Sequence, residues 1–323
     1  MIVALPLRIT VCILAIVLAG IASPLLAQSS RENPWQPNIV SPLYPKGKGP
    51  VVVVDEAHFN FHTIDGQYRG FAQTLERDGY VVRPGRAPFS ATILRAARIL
   101  VIVTALSERN RDLPHWSPPI TSAFSADEID AVQKWVRDGG SLLLIADHLP
   151  FAGAMQKLAA AFGIKIIDGY ALDRREIRGA VLDRPFIFTR KADVSRDGSI
   201  VDHPITHGRN YTERVDRVMT FMGSAFRADK TVMPLLVFGK EIRSYQTETF
   251  GKLSASTPSV SAAGLMQGAA LRYGKGRVVL YSEAGMFGVN RQRGVPVGMN
   301  RPGAAGNLQL LLNTMHWLDG TLK

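Results

Sequence analysis

A buried strand in the middle of the chain constrains the fold more than any other stretch. Residues 139–148 read Gly-Gly-Ser-Leu-Leu-Leu-Ile-Ala-Asp-His, with four consecutive large apolar residues. Such a run is typical of a strand covered on both faces. Upstream, Ser125 and Glu128 have the spacing of a helix capping box, and Val132 and Val136 follow at helical spacing. A helix that leads through a Gly-Gly turn into a core strand indicates a parallel α/β sheet.

The same alternation continues on both sides of this strand. The sequence predicts further strands over residues 51–54, 80–82, 99–103 and 164–167, and helices over residues 66–79, 93–97 and 153–162. Helical crossovers of this length favour a doubly wound, mostly parallel sheet. After residue 184 the segments 186–188, 218–221 and 235–238 are short and favour antiparallel strands, 269–273 and 278–281 form a predicted hairpin, and a last helix is expected over 307–318. No repeat or long linker divides the chain, so we expect one elaborated domain over residues 49–320.

The N-terminus has the features of a secretory signal peptide. Arg8 precedes an apolar run from Val11 to Ile21, and a small residue, Ala27, marks the expected cleavage position. The alternative is an uncleaved membrane anchor, although the run is short for a bilayer span. We therefore predict a signal peptide over residues 1–27, an extended lead-in over 28–48, and a periplasmic or secreted protein without a stable membrane span after cleavage.

The cysteine content and the charge exclude several functions. The chain has one cysteine, Cys12, which would leave with the signal peptide. The mature protein can then have no disulfide, thiolate nucleophile or cysteine metal site. The net charge is +11, but the basic residues are scattered and lack interleaved aromatics. This distribution predicts weak attraction to anionic polymers or lipid surfaces and no nucleic-acid binding.

A series of polar motifs resembles a known superfamily. The motifs are Asp55-Glu56-Ala57-His58 after the first strand, Ala146-Asp147-His148 after the central strand, Asp202-His203-Pro204, and Gly274-Lys275-Gly276 leading to Ser282-Glu283-Ala284. Their order is similar to the class I glutamine-amidotransferase-like superfamily, and most of all to an uncharacterised bacterial branch related to auxiliary domains of gliding-motility ABC transporters and to an intraflagellar-transport domain. The resemblance implies a flavodoxin- or amidotransferase-like α/β fold over residues 50–318.

The resemblance does not transfer a catalytic nucleophile. Catalytic members carry a cysteine between glycines at a sharp turn after a central strand. The corresponding turn here reads Ala146-Asp147-His148-Leu149, without cysteine or flanking glycine. Thiol-based amide transfer, and with it glutaminase activity, is therefore excluded by the residues present.

Acids and imidazoles follow several predicted strands. Because ligands bind at the carboxyl ends of parallel strands, we expect one cleft to be lined by a set of eight side chains: Asp55, Glu56, His58, His62, Asp147, His148, Glu283 and Asn300. Asp147, His148, Glu56 and Glu283 are the candidates for catalysis. His58, His62, Asp147 and His148 are the candidates for a divalent metal that would activate water. Metal-free acid–base chemistry and a purely structural polar cluster remain open alternatives.

Other polar residues favour structural interpretations. Pro204 holds His203 extended, and His203 and His207 are expected to satisfy loop carbonyls. His316 alternates with core leucines on the last helix and is expected to pack in the core. Asn307 is expected to be the N-cap of that helix.

The sequence thus leaves the function open between three hypotheses. The first is an exported, non-thiol amidotransferase-like domain that holds a small molecule or peptide in the carboxyl-edge cleft. The second is a periplasmic metal-dependent hydrolase. The third, implied by the resemblance alone, is an accessory subunit of an envelope transport system with an envelope protein as partner. Whether the protein is an enzyme is not decided by these residues.

Overall fold

A computed structural model describes residues 35–113, 115–175, 184–190, 197–249, 252–254, 256–292 and 294–323. The helices are α1 Arg69–Arg77, α2 Ala91–Leu94, α3 Ala126–Arg137, α4 Phe151–Ala160, α5 Pro204–His207 and α6 Ala305–Asp319. The strands are β1 Val51–Asp55, β2 Val81–Gly85, β3 Ile99–Val103, β4 Ser141–Ile145, β5 Ile164–Ile167, β6 Tyr170–Asp173, β7 Phe186–Thr189, β8 Gly198–Ile200, β9 Arg217–Thr220, β10 Ala225–Ala228, β11 Met233–Phe238, β12 Ile242–Tyr245, β13 Ser259–Ser261, β14 Met266–Tyr273, β15 Gly276–Tyr281, β16 Val289–Gln292 and β17 Val295–Gly298. The predicted signal peptide lies outside the described residues.

One large mixed sheet organises the domain. Its strand order is β2-β1-β3-β4-β15-β14-β11-β8-β7-β9. The first five strands run parallel to one another, and β14 then turns antiparallel to β15. The α/β fold predicted from the sequence, a parallel sheet with an antiparallel extension, is confirmed.

The fifth parallel strand is not the one that the sequence predicted. Residues 164–167 do form β5, but β5 pairs antiparallel with β10 outside the main strand order. Its place beside β4 is taken by β15, which comes from much later in the chain. Local periodicity identifies a strand but carries no information about its partner, which is why the sequence interpretation placed β5 wrongly.

The central strands are buried on both faces. Leu143 and Ile145 of β4 face the apolar core under α1 and α6, whereas Leu142 and Leu144 face the core under α3 and α4. Each side chain of β3 and β4 is therefore covered by helices. This two-sided burial explains the uninterrupted apolar runs from which the fold was predicted.

The helix that precedes β4 begins as the sequence indicates. Ser125 and Glu128 form the capping box, in which each side chain bonds the other's backbone N–H. The chain then turns at Gly139, whose φ of 125° suits glycine. The two signals fix where α3 starts and where β4 can begin.

Asn307 differs from its prediction. It lies inside α6, and Ala304 is the N-cap. Its buried side-chain amide instead accepts from the N–H of Met219 and donates to the carbonyls of Met219 and Met286. The amide thus joins α6 to the end of the sheet, a long-range role that a search for local caps does not detect.

The C-terminal part of the lead-in segment, at Leu43 and Tyr44, packs on the domain. The Tyr44 hydroxyl donates to Asp319 at 3.0 Å, and the Leu43 N–H donates to Asp78 at 2.7 Å. No helix in the described ranges is long and apolar enough to cross a membrane.

Candidate functional site

The parallel register brings the residues after β3, β4 and β15 to one edge. Val103 pairs with Ile145, and Ile145 pairs with Tyr281. Asp147 and Glu283 each follow two residues after these paired positions. Adjacent strands lie about 4.8 Å apart, so the two carboxyl groups become neighbours at the carboxyl edge of the sheet.

Asp147 and Glu283 form a buried carboxyl pair. Asp147 is 8 % exposed and Glu283 is 2 % exposed. Burial raises the pKa of both carboxyl groups, and the negative charge of Asp147 raises the pKa of Glu283 further. Backbone N–H groups of His148 and Ala284 donate to Asp147, and those of Met286, Gly285 and Phe221 donate to Glu283, which partly opposes the shift. The two carboxyl groups therefore titrate as a coupled pair, and the charge of Asp147 makes Glu283 harder to ionise than burial alone would.

The imidazoles of His62 and His148 and the phenol of Tyr68 complete this group. The rings of His62 and Tyr68 lie 4.7 Å apart, and His148 stacks on Tyr170 at 4.6 Å. Burial, together with the nearby His148, lowers the pKa of His62 to about 3, so His62 is neutral. Burial and the charges of Glu283 and Asp147 raise the pKa of Tyr68, whose hydroxyl donates to the Ala284 carbonyl at 2.7 Å.

We call His62, Tyr68, Asp147, His148 and Glu283 the carboxyl-edge site. Four of the five were predicted from the sequence to share a cleft; Tyr68, directly before α1, was not among the predicted residues. A concentration of perturbed ionisable groups at the carboxyl ends of parallel strands is typical of a functional site.

Thr104 is a further residue of this edge that the sequence did not reveal. It follows β3 with a φ of 42°, a conformation that a β-branched residue rarely adopts and that costs about 1–3 kcal/mol. Its hydroxyl lies 2.9 Å from Nδ1 of His62 and accepts from the His62 N–H at 3.2 Å. The turn that was expected to correspond to the sharp nucleophile turn, residues 146–149, has no positive φ. Among the described non-glycine residues, positive φ values occur at Thr104 and at Phe59, so the strained backbone lies after β3 and in the loop after β1.

His58 lies apart from the carboxyl-edge site. Its Nδ1 lies 2.8 Å from Asp55, its Nε2 lies 2.8 Å from Glu128, and its ring packs between Phe89 and Phe124. Burial lowers the pKa of His58, but the two carboxylates outweigh burial and the net pKa is raised. With both ring nitrogens engaged, His58 ties the end of β1 to the start of α3.

The remaining predicted residues are also held by local contacts. Glu56 accepts from the Ile64 N–H at 2.9 Å and lies 3.4 Å from Arg86. The Asn300 side-chain amide donates to the Asn290 carbonyl at 3.1 Å, while its buried oxygen has no partner among the described residues. Neither residue makes a described contact with the carboxyl pair.

Three other histidines have structural contacts, although His203 and His207 do not bond the loop carbonyls that were expected. His203 is the N-cap of α5 and accepts from the Ile205 N–H at 3.1 Å. His207 lies 3.1 Å from the Asp202 carboxylate. His316 is buried, and its Nε2 lies 2.6 Å from Asp78, a hydrogen-bond contact in addition to the predicted packing.

In the part of the chain that the structure describes, no arrangement of side chains supports the metal hypothesis. Among those residues, no group of three or more His, Cys, Asp or Glu side chains is arranged to hold a metal ion. Of the four predicted metal ligands, His62, Asp147 and His148 lie together, and His58 does not.

Comparisons with known proteins show the fold. No family model matches the chain, and no curated protein matches it. Among solved structures, the N-terminal domain of mmIFT52 is 12 % identical with a TM-score of 0.55, over 83 % of this chain and 97 % of that one. A cytoplasmic protein from Salmonella typhimurium LT2 is 15 % identical (TM-score 0.46, 84 % and 99 % covered), and a ThuA-like protein from Bacteroides uniformis is 11 % identical (TM-score 0.43, 88 % and 94 % covered).

These identities are low, so the likeness concerns the fold alone. The resemblance to the amidotransferase-like superfamily stays a prediction from the sequence. The relation to gliding-motility transporter domains stays a prediction.

Proposed function

We propose that the protein is an exported, non-thiol amidotransferase-like domain that binds a small polar ligand at the carboxyl-edge site, without glutaminase activity. The observation that carries this proposal is the buried Asp147–Glu283 carboxyl pair. Two carboxyl groups that raise each other's cost of ionisation are expensive to bury. A sequence selected for stability alone would replace one of them. Their retention beside two imidazoles favours a ligand-binding role.

The protonation pattern indicates the kind of ligand. A carboxyl pair that resists double ionisation offers a hydroxyl donor on its protonated member, a role that the raised pKa favours for Glu283, and an acceptor on the other. His62 is neutral and can offer either role at its second ring nitrogen. His148 and Tyr170 add a stacked aromatic surface next to the pair. Such a surface suits a small ligand that both donates and accepts hydrogen bonds and has a flat or apolar side.

The experiment is a thermal-shift screen on the chain without its predicted signal peptide, residues 28–323. Panels of monosaccharides and disaccharides, amino acids, short peptides and nucleosides are compared on the wild type, Asp147→Asn and Glu283→Gln. We expect a hit that stabilises the wild type, with an affinity at least ten-fold weaker in either variant. The matched control is Asp78→Asn, which removes a buried acid at the opposite edge of the sheet, where it contacts His316.

The same screen can contradict the proposal. Compounds that shift the wild type and both pair variants equally would place binding elsewhere. Efficient turnover of esters, amides, phosphates or glycosides, lost on chelation and restored by a divalent metal, would replace this proposal with the hydrolase hypothesis.

A further inference from the structure

The opposite edge of the sheet carries a concentration of positive charge. Arg277 is the second residue of β15 and pairs with Ser141 of β4, and Arg98 comes directly before β3. Arg272 lies directly across from Arg277 on β14. Arg137 and Lys275 adjoin them, since the Lys275 N–H bonds the Arg137 carbonyl. We call these five residues the amino-edge basic patch.

Part of this patch has a structural role. Arg98 donates to the Asp319 carbonyl, and Arg277 donates to the carbonyls of Trp317 and Leu322. Cations at this position complement the C-terminal end of α6, because the last carbonyls of a helix carry partial negative charge. Arg98 and Arg277 are therefore explained by helix capping.

Arg272 is not explained by helix capping. It is exposed, and its only described contact is with the ring of Trp317, 6.0 Å from the guanidinium carbon. Like charges directly opposite on neighbouring strands are destabilising. The charge of Arg272 lowers the pKa of two neighbouring side chains. Burial and then the charges of Arg272 and Arg98 lower the pKa of Arg277, and burial with Arg272 among the nearby cations lowers the pKa of His203 to about 4.

The width of the patch suits an extended anionic surface. Arg98, Arg277 and Arg272 sit at the ends of β3, β15 and β14, with β4 between the first two. At about 4.8 Å per strand this row spans roughly 14 Å, wider than one phosphate group and comparable to several lipid headgroups. The lead-in arrives at the same edge, where Tyr44 bonds Asp319 and lies within electrostatic range of Arg98.

We infer that the amino-edge basic patch docks the domain on an anionic phospholipid surface. The cations attract the headgroup phosphates, each basic residue near the surface adding about five-fold to the affinity. The carboxyl-edge site lies at the other end of the parallel strands. In the docked domain it therefore faces away from the lipid.

The test is co-sedimentation of residues 28–323 with vesicles of phosphatidylcholine alone or with added phosphatidylglycerol, at low salt and at 0.15 M salt. The test variant is Arg272→Ala with Lys275→Ala, because neither side chain caps α6. We expect binding that requires phosphatidylglycerol, weakens with salt, and falls roughly thirty-fold in the double variant.

A second pair of exposed cations provides the matched control. Lys165 of β5 and Arg227 of β10 also lie directly opposite each other. β10 meets β14 at Met266, six residues from Arg272, or roughly 20 Å along the strand. The variant Lys165→Ala with Arg227→Ala removes the same charge and should bind within two-fold of the wild type, and melting curves show that each variant folds.

Three results would overturn the inference. The first is equal wild-type binding to vesicles with and without phosphatidylglycerol. The second is an equal loss in the control and the test variant, which would make binding a matter of net charge alone. The third is tighter binding to soluble polyphosphate than to vesicles, lost in the test variant, which would identify a soluble polyanion as the partner.

Discussion

The carboxyl pair makes a prediction about how stability depends on pH. The perturbation is Glu283→Gln, which keeps the size of the side chain and removes its titration. In the folded protein, burial and the charge of Asp147 raise the pKa of Glu283 well above its ordinary 4.5. In the unfolded chain Glu283 ionises near that ordinary value. Between the two pKa values the folded state binds one proton more than the unfolded state.

The sign follows from this proton difference. When the folded state binds more protons, stability falls as pH rises, by up to about 1.4 kcal/mol per pH unit for one proton. The fall starts near pH 4.5 and continues until the folded pair gives up its proton. Over two pH units within this window the wild type should lose up to about 3 kcal/mol through this group, while Glu283→Gln loses none of it.

The assay is urea unfolding of wild type and variant at pH 5, 6, 7 and 8, analysed as the difference between the two proteins. The amide also loses an acceptor for backbone N–H groups such as that of Met286, 2.8 Å away, which costs about 1 kcal/mol at every pH. We therefore expect the variant to be slightly less stable at pH 5 and more stable at pH 8. A difference that stays constant from pH 5 to pH 8 would refute a proton held on Glu283.

Three further predictions concern other parts of the fold. In the wild type, stability should fall by at most about 4 kcal/mol between pH 4 and pH 7, because burial raises the pKa of Asp168 from 3.8 to about 7, and Asp168→Asn should remove this loss; unfolding at pH 4 and pH 8 measures it. Gly306→Ala should destabilise by about 1–3 kcal/mol although it lies in a helix, because the new Cβ would be 1.9 Å from the Arg217 carbonyl; a gain in melting temperature contradicts this. His58→Gln should lower the free energy of unfolding by about 3 kcal/mol at pH 6, because it leaves two carboxylates without their cation. This cost should shrink as pH rises above the raised pKa of His58, and a cost independent of pH refutes a charged His58.

The sequence predicted the part of the carboxyl-edge site that follows from the order and direction of the strands. Asp147 follows a strand whose parallel direction could be inferred from its buried run and its connections, and Glu283 follows the second strand of the predicted hairpin. Their meeting depends on that strand lying parallel beside β4, in register. The hairpin of β14 and β15 could likewise be predicted from the Gly-Lys-Gly turn between the two strands. What the sequence could not supply was the pairing of β15 with β4, which joins segments more than a hundred residues apart.

Side-chain partners were less predictable than strand ends. His58 follows β1 at the position expected of a site residue. Its Nε2 nevertheless contacts Glu128, which lies 70 positions further along the chain. Glu128 was recognised only as the acid of a capping box, and a capping acid can also accept from a distant imidazole. Thr104 gave no signal, because a positive φ is normally announced by glycine or asparagine, and here tertiary contacts impose it on threonine.

The two edges of the sheet differ in how their buried polar groups are satisfied. At the amino edge, Asp78 has the imidazole of His316 as a partner, and the Ser141 hydroxyl donates to a helix carbonyl at 2.7 Å. At the carboxyl edge, Asp147 and Glu283 are also buried, and among the described residues their hydrogen bonds come from backbone N–H groups, while the charge of Asp147 opposes ionisation of Glu283. A buried pair of carboxyl groups is not required by the fold, since apolar residues would serve both edges. The carboxyl edge is therefore where the protein gives up stability, and a ligand that accepts a proton from Glu283 and donates to Asp147 would restore it.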